Sequence, residues 1–190
     1  WIQWNFEGME RTPWWTHYFL ANKIALLGGP HNPRIVYEHS PLHNSAGTIR
    51  AFEALPLFSG RSTLEGAYIQ SSPSSPFVFY IQSELTETPS CPFLPYKCTT
   101  FDPERALPHL ELFNVKEVVA VTDKVKAALG ANPGYRVEGT IGPYKIFHVQ
   151  QGNGQYVVPL RYQPALVTDG DWKRLAYDWF QKPEWLEVPL

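Results

Sequence analysis

The run Val115–Thr122, VKEVVAVT, constrains the fold more than any other stretch of the chain. It is rich in Val and Ala, which suits a strand covered on both faces rather than a half-solvated one. A helix begins directly after it at Asp123 and runs to Leu129, where Gly130 closes it. Before it, Asp102-Pro103-Glu104 has the form of a helix start, with Asp as N-cap and Pro at the first helical position, and the pattern continues to about Phe113. After it, Tyr135–Thr140 and Tyr144–Val149 alternate apolar and polar residues around Ile141-Gly142-Pro143, which reads as a hairpin. Helix, buried strand and helix in succession are the mark of an α/β chain. The expectation is a mixed, mainly parallel sheet flanked by helices, with a C-terminal β-hairpin and Val115–Thr122 as its central, mostly buried strand.

The first half is punctuated differently. Thr12 and Pro13 open a helical pattern through Trp15, Phe19, Ile24 and Leu27, stopped by Gly28-Gly29-Pro30. Arg34–Glu38 (RIVYE) reads as a strand. Asn44 or Ser45 can cap a helix over Ala46–Ala54 that Pro56 ends. Phe77–Ile81 (FVFYI) is an apolar run readable as a strand or a helix turn. Glu84–Thr100 has no periodicity and is a loop, long enough to suggest a lid or another functional role. Tyr156–Leu160 reads as a further strand and Asp171–Phe180 as a last helix before Pro183.

A chain of 190 residues supports one domain with a real core. Its net charge of −2 and the lack of a basic run give nucleic acid nothing to bind. No stretch approaches the roughly 20 apolar residues of a membrane span. The chain opens at Trp1 without an initiator Met, and Glu187–Leu190 reads like the start of another strand. The expectation is therefore one soluble domain, residues 1–190, cut from a longer protein.

Two cysteines, Cys91 and Cys98, flank a segment bent by Pro92 and Pro95. The spacing is wrong for a C-x-x-C zinc or redox knuckle. The prolines favour closure by a disulfide over two separate thiols, and a disulfide belongs outside the cytoplasm. The six histidines include no H-x-H pair, and Pro41 between His39 and His43 removes a shared helix face, so no metal or cofactor is expected. Gly28-Gly29 follows a helix and terminates it; no phosphate loop or nucleophile elbow occurs. Trp14-Trp15 sits in the first helical pattern, where packing is its natural role.

The segment Phe58–Gly66, FSGRSTLEG, gathers Arg61, Glu65, Ser59 and Thr63 between flexible glycines, so one loop can present two charges and two hydroxyls. It is expected either to bind a substrate through Arg61, Glu65, Ser59 and Thr63 or to pair its charges structurally. Together with WIQWNFEGME, ALPLFSGRSTLEGAY, FDPERALPHLELFNVKEVVAV, YRVEGTIGPYKIFHV and WKRLAYDWF, it resembles the multi-pass membrane proteins labelled 6-pyruvoyl-tetrahydropterin synthase related. That family resembles the GT-C class of membrane glycosyltransferases. The zinc-binding histidines of true pterin synthases are missing, so pterin chemistry is not implied. The resemblance implies an extracytoplasmic domain at the cell membrane, attached to spans that this chain lacks. Its role would be to shape the binding of a glycan or lipid-linked sugar. The catalytic carboxylate would sit on a loop between membrane spans, so the chain alone would not be catalytic. Two other readings stand beside it: a structural or protein-interaction domain without a ligand site, and a hydrolase using carboxylates such as Glu7 with Glu10 or Glu65 with Asp102.

Overall fold

A computed structural model describes residues 31–46, 48–66, 72–168 and 170–190. The helical pattern from Thr12, the Trp14-Trp15 pair and the Glu7 and Glu10 carboxylates lie outside the described residues. Four strands form one sheet: β1 (Arg34–Tyr37), β2 (Val115–Ala120), β3 (Tyr135–Ile141) and β4 (Tyr144–Val149), in the order β1-β2-β4-β3. β1 and β2 are parallel, while β4 runs antiparallel to both β2 and β3. The α/β class, the mixed sheet and the hairpin are as expected, and β2 is an interior strand. Three of the four strands run the same way. Because β4 turns back between β2 and β3, however, two of the three pairings are antiparallel, so parallel pairing does not dominate.

The described helices are α1 (Leu55–Ser59), α2 (Ser75–Leu85), α3 (Pro103–Leu112), α4 (Asp123–Ala131) and α5 (Trp172–Phe180), with 3₁₀ turns at Pro41–Ala46, Ala51–Ala54 and Pro183–Trp185. Three helix starts were written into the sequence as side-chain caps. Asp102 accepts from Arg105 N, Thr122 from Val125 N and Asp171 from Arg174 N, each satisfying a donor that the first helical turn leaves open.

Successive strand residues face opposite ways, and the sheet separates two cores accordingly. Val36, Val118, Ala120, Phe147 and Val149 pack under α2, α3, α4 and α5 through residues such as Tyr80, Leu110, Leu129 and Phe180. Ile35, Tyr37, Val119, Val121, Tyr144 and Ile146 pack on the other face against Ala51, Phe52 and Leu55. Buried on both faces, β2 matches its Val-rich sequence.

Of the two readings of Phe77–Ile81, strand or helix turn, the helix holds: the run lies within α2, which is buried nearly all round, and an apolar run of that length does not by itself distinguish a buried helix from a strand. Four expectations are corrected. The helix expected over Ala46–Ala54 is two 3₁₀ turns followed by α1. Pro56 does not stop it but occupies the first turn of α1, where its missing N–H costs nothing. Gly60 ends α1 instead, at φ +74° with its N–H on the Pro56 carbonyl. Tyr156–Leu160 and Glu187–Leu190 form no strand, Glu187 lying in a turn and Val188 in a bend; nearby, Arg161 and Glu187 pair at 3.8 Å and Ala165 N donates to the Pro189 carbonyl at 2.8 Å.

Candidate functional site

The FSGRSTLEG segment lies beside β1. Ile35 N donates to Ser62 O at 3.0 Å and Leu64 N to Ile35 O at 3.1 Å, so Thr63 forms a one-residue parallel bridge to Ile35. Its polar side chains turn inward. Ser59 Oγ donates to Leu55 O at 2.9 Å and receives Arg61 N at 3.3 Å. The Thr63 hydroxyl donates to the carbonyl of Glu65. Arg61, 4 % exposed, donates from Nη2 to the Pro33 carbonyl at 2.6 Å and to the Glu117 carboxylate of β2. Glu65, 2 % exposed, receives the Tyr37 hydroxyl at 3.1 Å. The segment thus brings Arg61 and Glu65 to opposite ends of β1 with separate partners, and not to one another.

Further buried polar groups stand at the carboxyl ends of β1 and β2. One carboxylate oxygen of Glu38 receives Val121 N at 2.6 Å and Thr122 N at 2.9 Å, and the other receives the Thr122 hydroxyl at 2.6 Å. His43 Nε2 donates to the Glu38 carbonyl at 2.7 Å, and the ring packs among Tyr37, Phe52 and Tyr144. Burial holds His43 down to about 4, so it is neutral at physiological pH, and its Nδ1 has no hydrogen-bond partner. Burial, against the opposing Tyr37 hydrogen bond, lifts Glu65 to about 7. Pairing with Arg61 would have held it down; this carboxyl is instead poised to exchange its proton near neutrality.

An accessible cleft lies on the helical side of the sheet. The start of α2, the disulfide-closed loop and α5 enclose a cleft of about 460 Å³. Phe77, Phe93, Tyr96, Trp172 and Tyr177 line it, with Lys173 and Ser72 supplying polar atoms. A second hollow of about 430 Å³ continues past Tyr96 and Tyr177 to Lys97, Arg174 and Asp178. Cys91 and Cys98 are bonded, as expected, so Phe93 and Tyr96 project from a covalently closed loop. Behind the cleft, Tyr177 donates to the Lys97 carbonyl at 2.8 Å and sits 5.0 Å from Tyr96, ring to ring. α5 is held in place from within. His109 Nε2 donates to the Phe180 carbonyl at 2.8 Å, its Nδ1 lies 2.8 Å from Glu84 Oε2, and Arg105 donates to the Gln181 carbonyl at 2.5 Å.

Sequence reasoning singled out the cysteine loop and the α5 helix but did not join them. Nothing in the linear order places Phe77, Phe93 and Trp172 around one space. The Glu84–His109 pair is likewise invisible in the linear order, since its members stand 25 residues apart on two different helices, α2 and α3.

No curated protein and no solved structure matches the chain. A family model does match, over residues 21–162, which take in the FSGRSTLEG segment, the disulfide loop and the whole sheet but not α5. The chain therefore belongs to the DUF8559 family, a domain of unknown function.

Proposed function

We propose that the chain is the extracytoplasmic domain of a membrane glycosyltransferase-like protein of the 6-pyruvoyl-tetrahydropterin synthase related group, and that it binds a glycan or lipid-linked sugar in the aromatic cleft. The cleft carries this reading. Sugars present apolar C–H faces that stack on rings and hydroxyls that need directional partners. Five aromatic rings beside Lys173, Ser72 and, in the adjoining hollow, Arg174 and Asp178 supply both kinds of contact. The Cys91–Cys98 bond supports a compartment outside the cytoplasm. No helix among the described residues is long and apolar enough to cross a membrane, so membrane attachment in this reading rests on the rest of the parent protein. The buried FSGRSTLEG side chains shape the domain, and contact with substrate shifts from them to the cleft.

In the full-length parent, Trp172→Ala should lower glycan transfer about tenfold, the loss of one stacking contact of roughly 1.4 kcal/mol. Trp172 is 53 % exposed, so the same change should leave the melting temperature of the 190-residue chain nearly unchanged. Unaltered transfer would remove the cleft from the substrate path.

The alternative, a protein-interaction domain with no ligand site, is favoured by the irregular segment 156–166. It exposes Val157, Leu160 and Leu166, the last at 88 %. On that reading the Trp172 variant transfers normally, whereas polar substitutions at Leu160 and Leu166 disrupt assembly of the parent.

A further inference from the structure

The sheet face that carries the second core does not stay apolar along its length. Val119 of β2 and Ile146 of β4 are buried in that core; two residues further along each strand, on the same face, stand Glu117 and His148. They are cross-strand partners in the register. Glu138 of the neighbouring β3 joins them, where the β3–β4 register shifts between Val137 and Gly139. A bulge of this kind re-aims a side chain. One ligand atom from each of Glu117, Glu138 and His148 lies within 4.8 Å of the others.

Two features separate this trio from an ordinary patch of surface charge. First, Glu117 Oε1 and His148 Nδ1 are 3.7 Å apart, too far for a hydrogen bond. Two ligands held at zinc-like bond lengths on a tetrahedral ion sit about 3.4 Å apart, so the gap suits a shared cation better than a shared proton. Second, Glu117 is not free to swing. The almost wholly buried Arg61 guanidinium holds its other oxygen, Oε2, and is itself anchored on the Pro33 carbonyl. An outer partner that fixes a ligating carboxylate in this way is the usual support of a metal ligand. Arg61 and the exposed Arg136, which lies across from His148, also oppose a cation on this face, so coordination and not net charge must hold it.

We propose that Glu117, Glu138 and His148 form a binding site for a single zinc-class divalent cation on this face of the sheet. One imidazole and two carboxylates suit zinc and its first-row neighbours better than calcium or magnesium, which take all-oxygen sets. Three protein ligands, one of them exposed, leave the remaining position to solvent or to an incoming oxygen ligand, the arrangement of open zinc sites. In the FSGRSTLEG segment, Arg61 then has the role of positioning Glu117.

The test is titration of the metal-stripped 190-residue chain with zinc chloride, read by calorimetry and by melting temperature, beside Glu138→Gln and His148→Ala. Glu138 is exposed, so its variant folds whatever becomes of His148. The expected result is one zinc per chain and, at a hundredfold excess over Kd, a rise in Tm of about 5–10 °C. Both variants should lose that rise, and magnesium should not produce it. Absence of saturable one-to-one binding, or binding that survives both substitutions, would overturn the proposal.

Discussion

At the scale of single residues, the chain spends its buried charges on backbone geometry. Glu38 gathers two backbone N–H groups and a hydroxyl at the start of α4, and Arg61 ties the segment before β1 to β2. Arg61→Ala strands Glu117 without its buried partner and should destabilise the fold by about 3 kcal/mol or more in chemical denaturation. A loss below 1 kcal/mol would mean that Glu117 finds another partner. Glu65 and His43 give the fold a pH signature of their own. Burial raises Glu65 from 4.5 to about 7, so the folded state holds its proton more tightly than the unfolded chain does. That contribution is fully present below pH 4.5 and is lost as pH rises through 7. His43 is shifted the other way, from 6.5 to about 4, so its contribution is present above pH 6.5 and lost as pH falls through 4. The two slopes oppose each other between about pH 4.5 and 6.5. Comparison with Glu65→Gln isolates the first: the wild-type chain should lose about 3 kcal/mol relative to that variant between pH 4 and pH 8. A difference independent of pH would place the Glu65 carboxyl in contact with water.

At the scale of elements, the sequence was most legible where capping chemistry and strand periodicity coincide. Asp102-Pro103, the Val-rich β2 and the alternating hairpin strands each carry a local rule that tertiary packing had no reason to override. Other segments lack such a rule. FVFYI left strand and helix turn open: its composition suits a strand, while Pro76 opens a helix there and burial on all sides hides the helical period. Pro56 has two opposite meanings, stop and first turn, that only the chain around it resolves. The Cys91–Cys98 loop was legible because prolines and cysteines act over eight residues. Its bond should add about 2–3 kcal/mol by restricting the unfolded chain. Cys91→Ser should therefore lower stability by that amount and, since Phe93 and Tyr96 hang from the loop, weaken binding in the cleft as well. Full retention of stability under reducing conditions would show that the loop is held by packing alone.

At the scale of the whole molecule, the sheet divides the work. One face and the carboxyl ends of β1 and β2 hold buried polar groups that fix the fold, and the helical side holds the open aromatic cleft. The candidate site was the least legible part. FSGRSTLEG drew attention because its charges are dense in sequence, yet those side chains are buried, while the cleft is assembled from α2, a loop and α5, nearly a hundred residues apart in the chain. α5 lies beyond the 21–162 family match, so one wall of the cleft stands outside the matched region. The most direct measurement is a two-dimensional NMR titration of the isotopically labelled chain with soluble oligosaccharides, following aromatic and backbone resonances. Saturable shifts are expected at the Trp172 indole and at Phe77, Phe93, Tyr96 and Tyr177, with Arg61 and Glu65 unmoved. Shifts centred on Arg61 and Glu65 with a silent Trp172, or no saturable shift with any glycan, would contradict the account.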